Sequence, residues 1–65
     1  MKVQRRYRLR LEQDWTWTVV DVFTGLPFWH RNEPAFGLDQ REAFNLAVML
    51  NAIESERIRL AEPER

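Results

Sequence analysis

The chain has 65 residues, no cysteine and a formal net charge of zero. A single domain of that size buries only about 60% of its unfolded surface and is marginal alone. Without cysteine there are no disulfides or Cys-based metal centres to staple it, so oligomerisation is the remaining common device.

The charge is unevenly placed. Residues 1–11 hold Lys2, Arg5, Arg6, Arg8 and Arg10 with no acid, residues 12–52 are acidic on balance, and residues 53–65 nearly cancel. Zero overall argues against a dedicated nucleic-acid binder, whose domain is usually distinctly basic; the basic N-terminal cluster keeps that reading as the runner-up. No apolar signal core follows Met1. The longest uncharged run, 43–53, is far short of the ~20 residues needed to span a bilayer. The expectation is a cytoplasmic soluble protein that does not enter membranes.

Residues 3–11 alternate. Arg5, Tyr7, Leu9 and Leu11 point one way; Gln4, Arg6, Arg8 and Arg10 point the other. A period of two predicts a half-buried strand with a basic outer face. Glu12-Gln13-Asp14 reads as a three-residue hairpin loop without the glycine such loops favour. Residues 15–24, rich in Trp, Thr, Val and Phe, read as the second strand. The predicted register pairs Leu11 with Trp15, Leu9 with Trp17, Tyr7 with Val19 and Arg5 with Asp21, so that apolar meets apolar and the one acid meets a base.

Thr24-Gly25 reads as the second turn. Residues 26–32 form the predicted third strand, with Pro27 near its start on an edge. Direct pairing would put Phe28 and His30 on the Trp17 face, and Trp29 and Arg31 on the basic face. Residues 32–37 connect to the helix, and Phe36 is expected to plug the gap between helix and sheet.

The helix spans 39 to about 60. Asp39 is its N-cap, Glu42 closes a capping box, and Leu38 with Ala43 can form the hydrophobic staple. Arg57 and Arg59 suit the negative end of the dipole, and Pro63 prevents continuation. Ala43, Leu46, Ala47, Leu50, Ile53 and Leu60 form one apolar stripe, widened by Met49. Phe44, Val48 and Ala52 form a second stripe on roughly the opposite side. A helix apolar nearly all round is buried nearly all round, and one small sheet covers only one face. The predicted fold is therefore α+β: a three-stranded antiparallel sheet, order 1-2-3, on one C-terminal helix (βββα). The domain covers 1–61, and 62–65 form a flexible tail.

Candidate chemistry is sparse. His30 has no Cys or Ser beside it in sequence and reads as a strand residue, not a catalyst. Asp21 on the apolar face reads as a paired carboxylate, because no second acid has a predictable place beside it. The aromatic residues Trp15, Trp17, Trp29, Phe23, Phe28, Phe36 and Phe44 read as core and interface; of these only Trp29 shares the arginine face and fits a base-stacking platform. No catalytic set, cofactor site or metal-ligand cluster is expected, and the chain reads as a non-enzyme. The leading expectation is a homodimerising or protein-partner-binding module that uses Phe44, Val48 and Ala52. The alternative is nucleic-acid binding by Arg6, Arg8, Arg10, Trp29 and Arg31, as a phosphate-contacting sheet surface.

Trp17-Thr18-Val19-Val20, the turn at Thr24-Gly25, then Phe36 and Glu42-Ala43 opening the helix resemble the N-terminal arm-type DNA-binding domains of tyrosine recombinases. The likeness implies a sheet that enters a DNA groove. It covers most of the chain but rests on common residue types, and it carries over no functional residue. The gap from Phe36 to Glu42 is one residue longer than in that family, and the third strand offers only Arg31 as a base.

Overall fold

The computed structural model describes residues 5–30 and 32–61. Its elements in chain order are β1 (Tyr7–Leu11), β2 (Trp17–Asp21), β3 (Leu26–Pro27), β4 (Trp29–His30), β5 (Glu33–Pro34) and α1 (Gln40–Ala61). The α+β architecture is present: an antiparallel sheet of order β1-β2-β3 with a C-terminal helix lying against β1 and β2. A second ladder of two short strands, β4 and β5, was not expected. The expected start of the first strand at residue 3 and the tail at 62–65 lie outside the described residues.

The register differs from the predicted one by two residues. Tyr7 pairs with Asp21, Leu9 with Val19 and Leu11 with Trp17. The hairpin loop does have three residues, but they are Gln13, Asp14 and Trp15. The Glu12 amide bonds to the Thr16 carbonyl at 2.8 Å, and the Trp15 amide to the Glu12 carbonyl at 3.1 Å. Trp15 is therefore a loop residue, not the partner of Leu11, and it occupies the left-handed position with φ 68°. Asp14 makes the shift favourable by accepting the Thr16 amide at 3.0 Å and its hydroxyl at 2.6 Å, an Asx-type turn. A slip of two preserves parity, so the residues that do pair, 7–11 and 17–21, keep their predicted faces.

β2 ends at Asp21, three residues earlier than predicted, because Asp21 opens the turn. Its carbonyl accepts the Gly25 amide at 2.8 Å, and its carboxylate accepts the Phe23 amide at 3.0 Å. Gly25 closes that turn at φ 74°, where a Cβ would be strained.

The third strand is not continuous. Leu26 and Pro27 pair with Asp21 and Val20, and the Phe28 amide bonds to the Val19 carbonyl at 2.8 Å. The chain then leaves the sheet as the β4–β5 hairpin, with Asn32 at φ 67° in its turn. It returns at Ala35, whose carbonyl takes the Val19 amide at 2.9 Å, and at Leu38, which exchanges both backbone bonds with Trp17 at 2.7 and 3.0 Å. The far edge of β2 is thus satisfied by three separate pieces of chain.

The core is small: Tyr7, Val19, Ala35, Ala43, Ala47 and Leu50, with Leu9, Trp17, Phe28, Leu38 and Leu46 packed against it. The Tyr7 and Phe28 rings meet edge to face at 5.4 Å. Ala35 sits where Phe36 was expected to plug the gap; Phe36 is 59% exposed.

The capping box forms as predicted. The Glu42 amide donates to Asp39 Oδ1 at 2.8 Å, and the Asp39 amide donates to Glu42 Oε1 at 3.4 Å. The buried helix stripe is Ala43, Ala47, Leu50 and Glu54. Ile53 and Leu60, predicted inside, are exposed. The cause is geometric. A 22-residue helix is about 33 Å long, while a five-residue strand spans only about 17 Å. One such sheet covers half the helix length and one face.

Candidate functional site

The residues that the sequence picked out lie on three surfaces. The first is the outward face of α1. Phe44 (57% exposed), Val48 and Ala52 are uncovered, and so are Met49 and Ile53. At about 100° per residue Val48, Met49, Ala52 and Ile53 turn away from Ala47, with Phe44 on the flank nearest β1, and Asn45 is the polar residue in this band. Arg41 and Glu56 lie at its two ends.

The second is a groove of about 760 Å³ between the free edge of β1 and the flank of α1. Leu9, Phe44 and Val48 contribute apolar surface, Arg5 and Arg8 line it as well, and among the described residues no acidic one lines it. Asn51 crosses its floor. The Asn51 side chain accepts the Tyr7 amide at 2.9 Å and donates to the Tyr7 carbonyl at 3.0 Å. Asn51 sits one helical turn from Ala47, which aims its amide at β1. Sequence reading missed it; the signal was a polar residue beside the buried stripe at a strand's height.

The third is the basic strand, and its arginines do not form one surface. Arg6 was expected on the outer face beside Arg8 and Arg10. It lies instead just before β1 and folds toward the helix. Its Nε and Nη2 donate to the two Asp21 oxygens at 3.0 and 2.9 Å, and Nη1 donates to Glu54 at 3.3 Å. The guanidinium stacks over Phe23 at 4.6 Å and Tyr7 at 5.3 Å. Asp21 is thus a paired carboxylate as predicted, but its partner is Arg6, not Arg5. Glu54, buried on the helix, also accepts Arg57 at 3.0 and 2.7 Å. Arg6 and Arg57 together make its burial tolerable. Arg6 holds the Asp21 carboxyl below the usual range, and Arg57 foremost does the same for Glu54. Burial pushes the Tyr7 phenol up.

Arg10 donates to Glu12 at 2.7 Å, which holds the Glu12 carboxyl low. Arg8 is exposed on the outer face and has no acidic partner among the described residues. Trp29 is exposed on the β4–β5 hairpin, away from the strand that carries the arginines, and Arg31 lies outside the described residues. His30 is exposed on β4, its ring 6.2 Å from that of Phe28.

Among the described residues no group of three or more His, Cys, Asp or Glu side chains can hold a metal ion, and no helix is long and apolar enough to cross a membrane. Comparisons with protein-family models, with curated proteins and with solved structures find no match to this chain.

Proposed function

We propose that this chain is a non-catalytic protein-interaction module that works as a homodimer, in a cytoplasmic setting. The supporting observation is the exposed apolar band Phe44, Val48, Met49, Ala52 and Ile53 on a 22-residue helix. Uncovered bands of this kind mark interaction sites.

The occupant we infer is a second copy, because the band is self-complementary about its midpoint between Val48 and Met49. Phe44 precedes Val48 by four positions, and Ile53 follows Met49 by four. Arg41 precedes Val48 by seven, and Glu56 follows Met49 by seven. Two antiparallel helices related by a two-fold axis at that midpoint set Asn45 against Ala52 and Arg41 beside Glu56 of the other copy, with Phe44 and Ile53 closing the two flanks. A two-fold interface demands this reciprocity, and opposite charges at its ends fix orientation. Arg6 and Arg10, which spend their charge on Asp21, Glu54 and Glu12, are the reason nucleic-acid binding stays second.

Cross-linking tests the arrangement, because the chain has no cysteine of its own. Asn45→Cys and Ala52→Cys face each other across the dimer, whereas each is offset from its own copy by about 10 Å along the axis. A mixture of the two variants forms the mixed disulfide faster than either alone. Equal rates, or no cross-link, contradict the arrangement.

A further inference from the structure

The free edge of β1 supplies a second interaction surface, beyond the helix face. Its hydrogen-bond directions follow from the ladder. The Val22 amide bonds to the Arg6 carbonyl at 2.9 Å, and the Glu12 amide to the Thr16 carbonyl at 2.8 Å. Even-numbered residues of β1 therefore turn their backbone groups to β2, and Tyr7, Leu9 and Leu11 turn theirs to the open side. Asn51 bears this out at Tyr7, where its amide holds both backbone groups as a neighbouring strand would. Leu9 and Leu11 have no such partner among the described residues.

We propose that this edge takes an extended, acidic segment of another protein, added to the sheet at Leu9 and Leu11. The groove opens beside Leu9, where a strand laid along β1 meets the flank carrying Phe44 and Val48, and Leu11 continues the open edge beyond its lining. Adding a strand satisfies the open backbone groups and gives affinity without needing a deep pocket. Alternation then sets the sequence that fits. Residues opposite Leu9 and Leu11 share their face, toward the helix, and are apolar; those between them share the face of Arg8 and Arg10 and are acidic. Arg5 and Arg8 in the groove, with no acid beside them among the described residues, favour the same sign.

A second copy's β1 brings the wrong sign. A two-fold register about Leu9 sets Arg8 opposite Arg10, and one about Arg10 sets Arg10 opposite itself; like charges directly opposite are destabilising. Asn51 sets the limit of the site, because a strand that reached Tyr7 would have to displace both of its bonds. The groove shares Phe44, Val48 and Ala52 with the pairing face, whereas Met49 and Ile53 belong to the pairing face alone.

Fluorescence anisotropy with the labelled peptide Val-Glu-Val-Glu-Val-Glu-Val tests the assignment, with Val-Lys-Val-Lys-Val-Lys-Val as its counterpart. The acidic peptide binds and the lysine peptide is at least about tenfold weaker. Leu9→Pro removes an outward donor that the β1–β2 ladder does not use, an edge position where proline is tolerated. It weakens binding about tenfold, the worth of one lost hydrogen bond. In the unaltered chain, amide exchange at Leu9 and Leu11 slows on adding the acidic peptide, which serves if Leu9→Pro does not fold. Ile53→Asp, outside the groove, keeps peptide binding at the same or higher affinity even where it dissolves the dimer, because the dimer covers Phe44, Val48 and Ala52. Absence of binding at low salt, equal binding of the lysine peptide, unchanged exchange at Leu9 and Leu11, or a dimer that is lost with Leu9→Pro overturns the proposal.

Discussion

The side chain of Asn51 holds both backbone groups of Tyr7, 44 residues away in sequence, at 2.9 and 3.0 Å. One amide on the helix therefore ties α1 to β1 and ends the free edge of the sheet. Edge strands left open are templates for unwanted pairing, and this contact closes one position of three.

Asn51→Ala leaves the half-buried Tyr7 groups without that partner, and should cost about 1–3 kcal/mol. Chemical denaturation reads the loss. Hydrogen exchange should localise it, with the Tyr7 amide accelerated more than that of Val19, which is bonded to the Ala35 carbonyl.

The cluster Asp21–Arg6–Glu54–Arg57 makes stability depend on pH at the acid end. Both carboxyls are held below their ordinary values in the folded state. The unfolded chain therefore takes up protons first, starting near pH 4. The stability these acids contribute is complete above that value and is lost as pH falls through their folded-state values. Urea midpoints measured from pH 2 to 6 should fall with acid in the unaltered chain and less steeply in Arg6→Met, which removes the Asp21 contribution but leaves Arg57 on Glu54. The same variant should be less stable at pH 7, because it leaves Glu54 buried with Arg57 alone.

Trp15 is a large aromatic residue in the left-handed region, at φ 68° and 80% exposed. A side chain there costs about 1–2 kcal/mol, and little burial offsets it. Trp15→Gly relieves that strain and gives back part of the gain through the freer unfolded chain. A net stabilisation of about 0.5–1 kcal/mol is expected by thermal or chemical denaturation. A destabilised variant would mean that the indole packs on the hairpin more than its exposure indicates.

Arg41 and Glu56 carry the orientation of the proposed dimer. Arg41→Glu should weaken association at low salt, as should Glu56→Arg. The double variant should recover most of it, because the pair is restored with its signs exchanged. Raising the salt should shrink all three differences.

Much of the fold was legible from local chemistry. The Asp39–Glu42 capping box located the helix start, because both partners lie within one turn. The alternation of 7–11 and 17–21 assigned faces correctly even though the register was off by two, since a slip of two preserves parity. What failed depended on distant partners. The loop moved by one residue because Asp14 found Thr16, which left Trp15 in a conformation that favours glycine. Glu54 went inside because Arg6, 48 residues away, reaches it. The third strand broke because Ala35 and Leu38 replace it along β2. The exposed stripe Phe44, Val48 and Ala52 was legible because a helix this apolar exceeds what one short sheet can cover.

Sedimentation equilibrium of the unaltered chain beside Ile53→Asp is the most direct check on self-association. At micromolar concentration the unaltered chain should sediment with the mass of two copies, and Ile53→Asp, its helix intact by circular dichroism, with the mass of one. An unaltered chain that stays at the mass of one copy across that range would contradict the account.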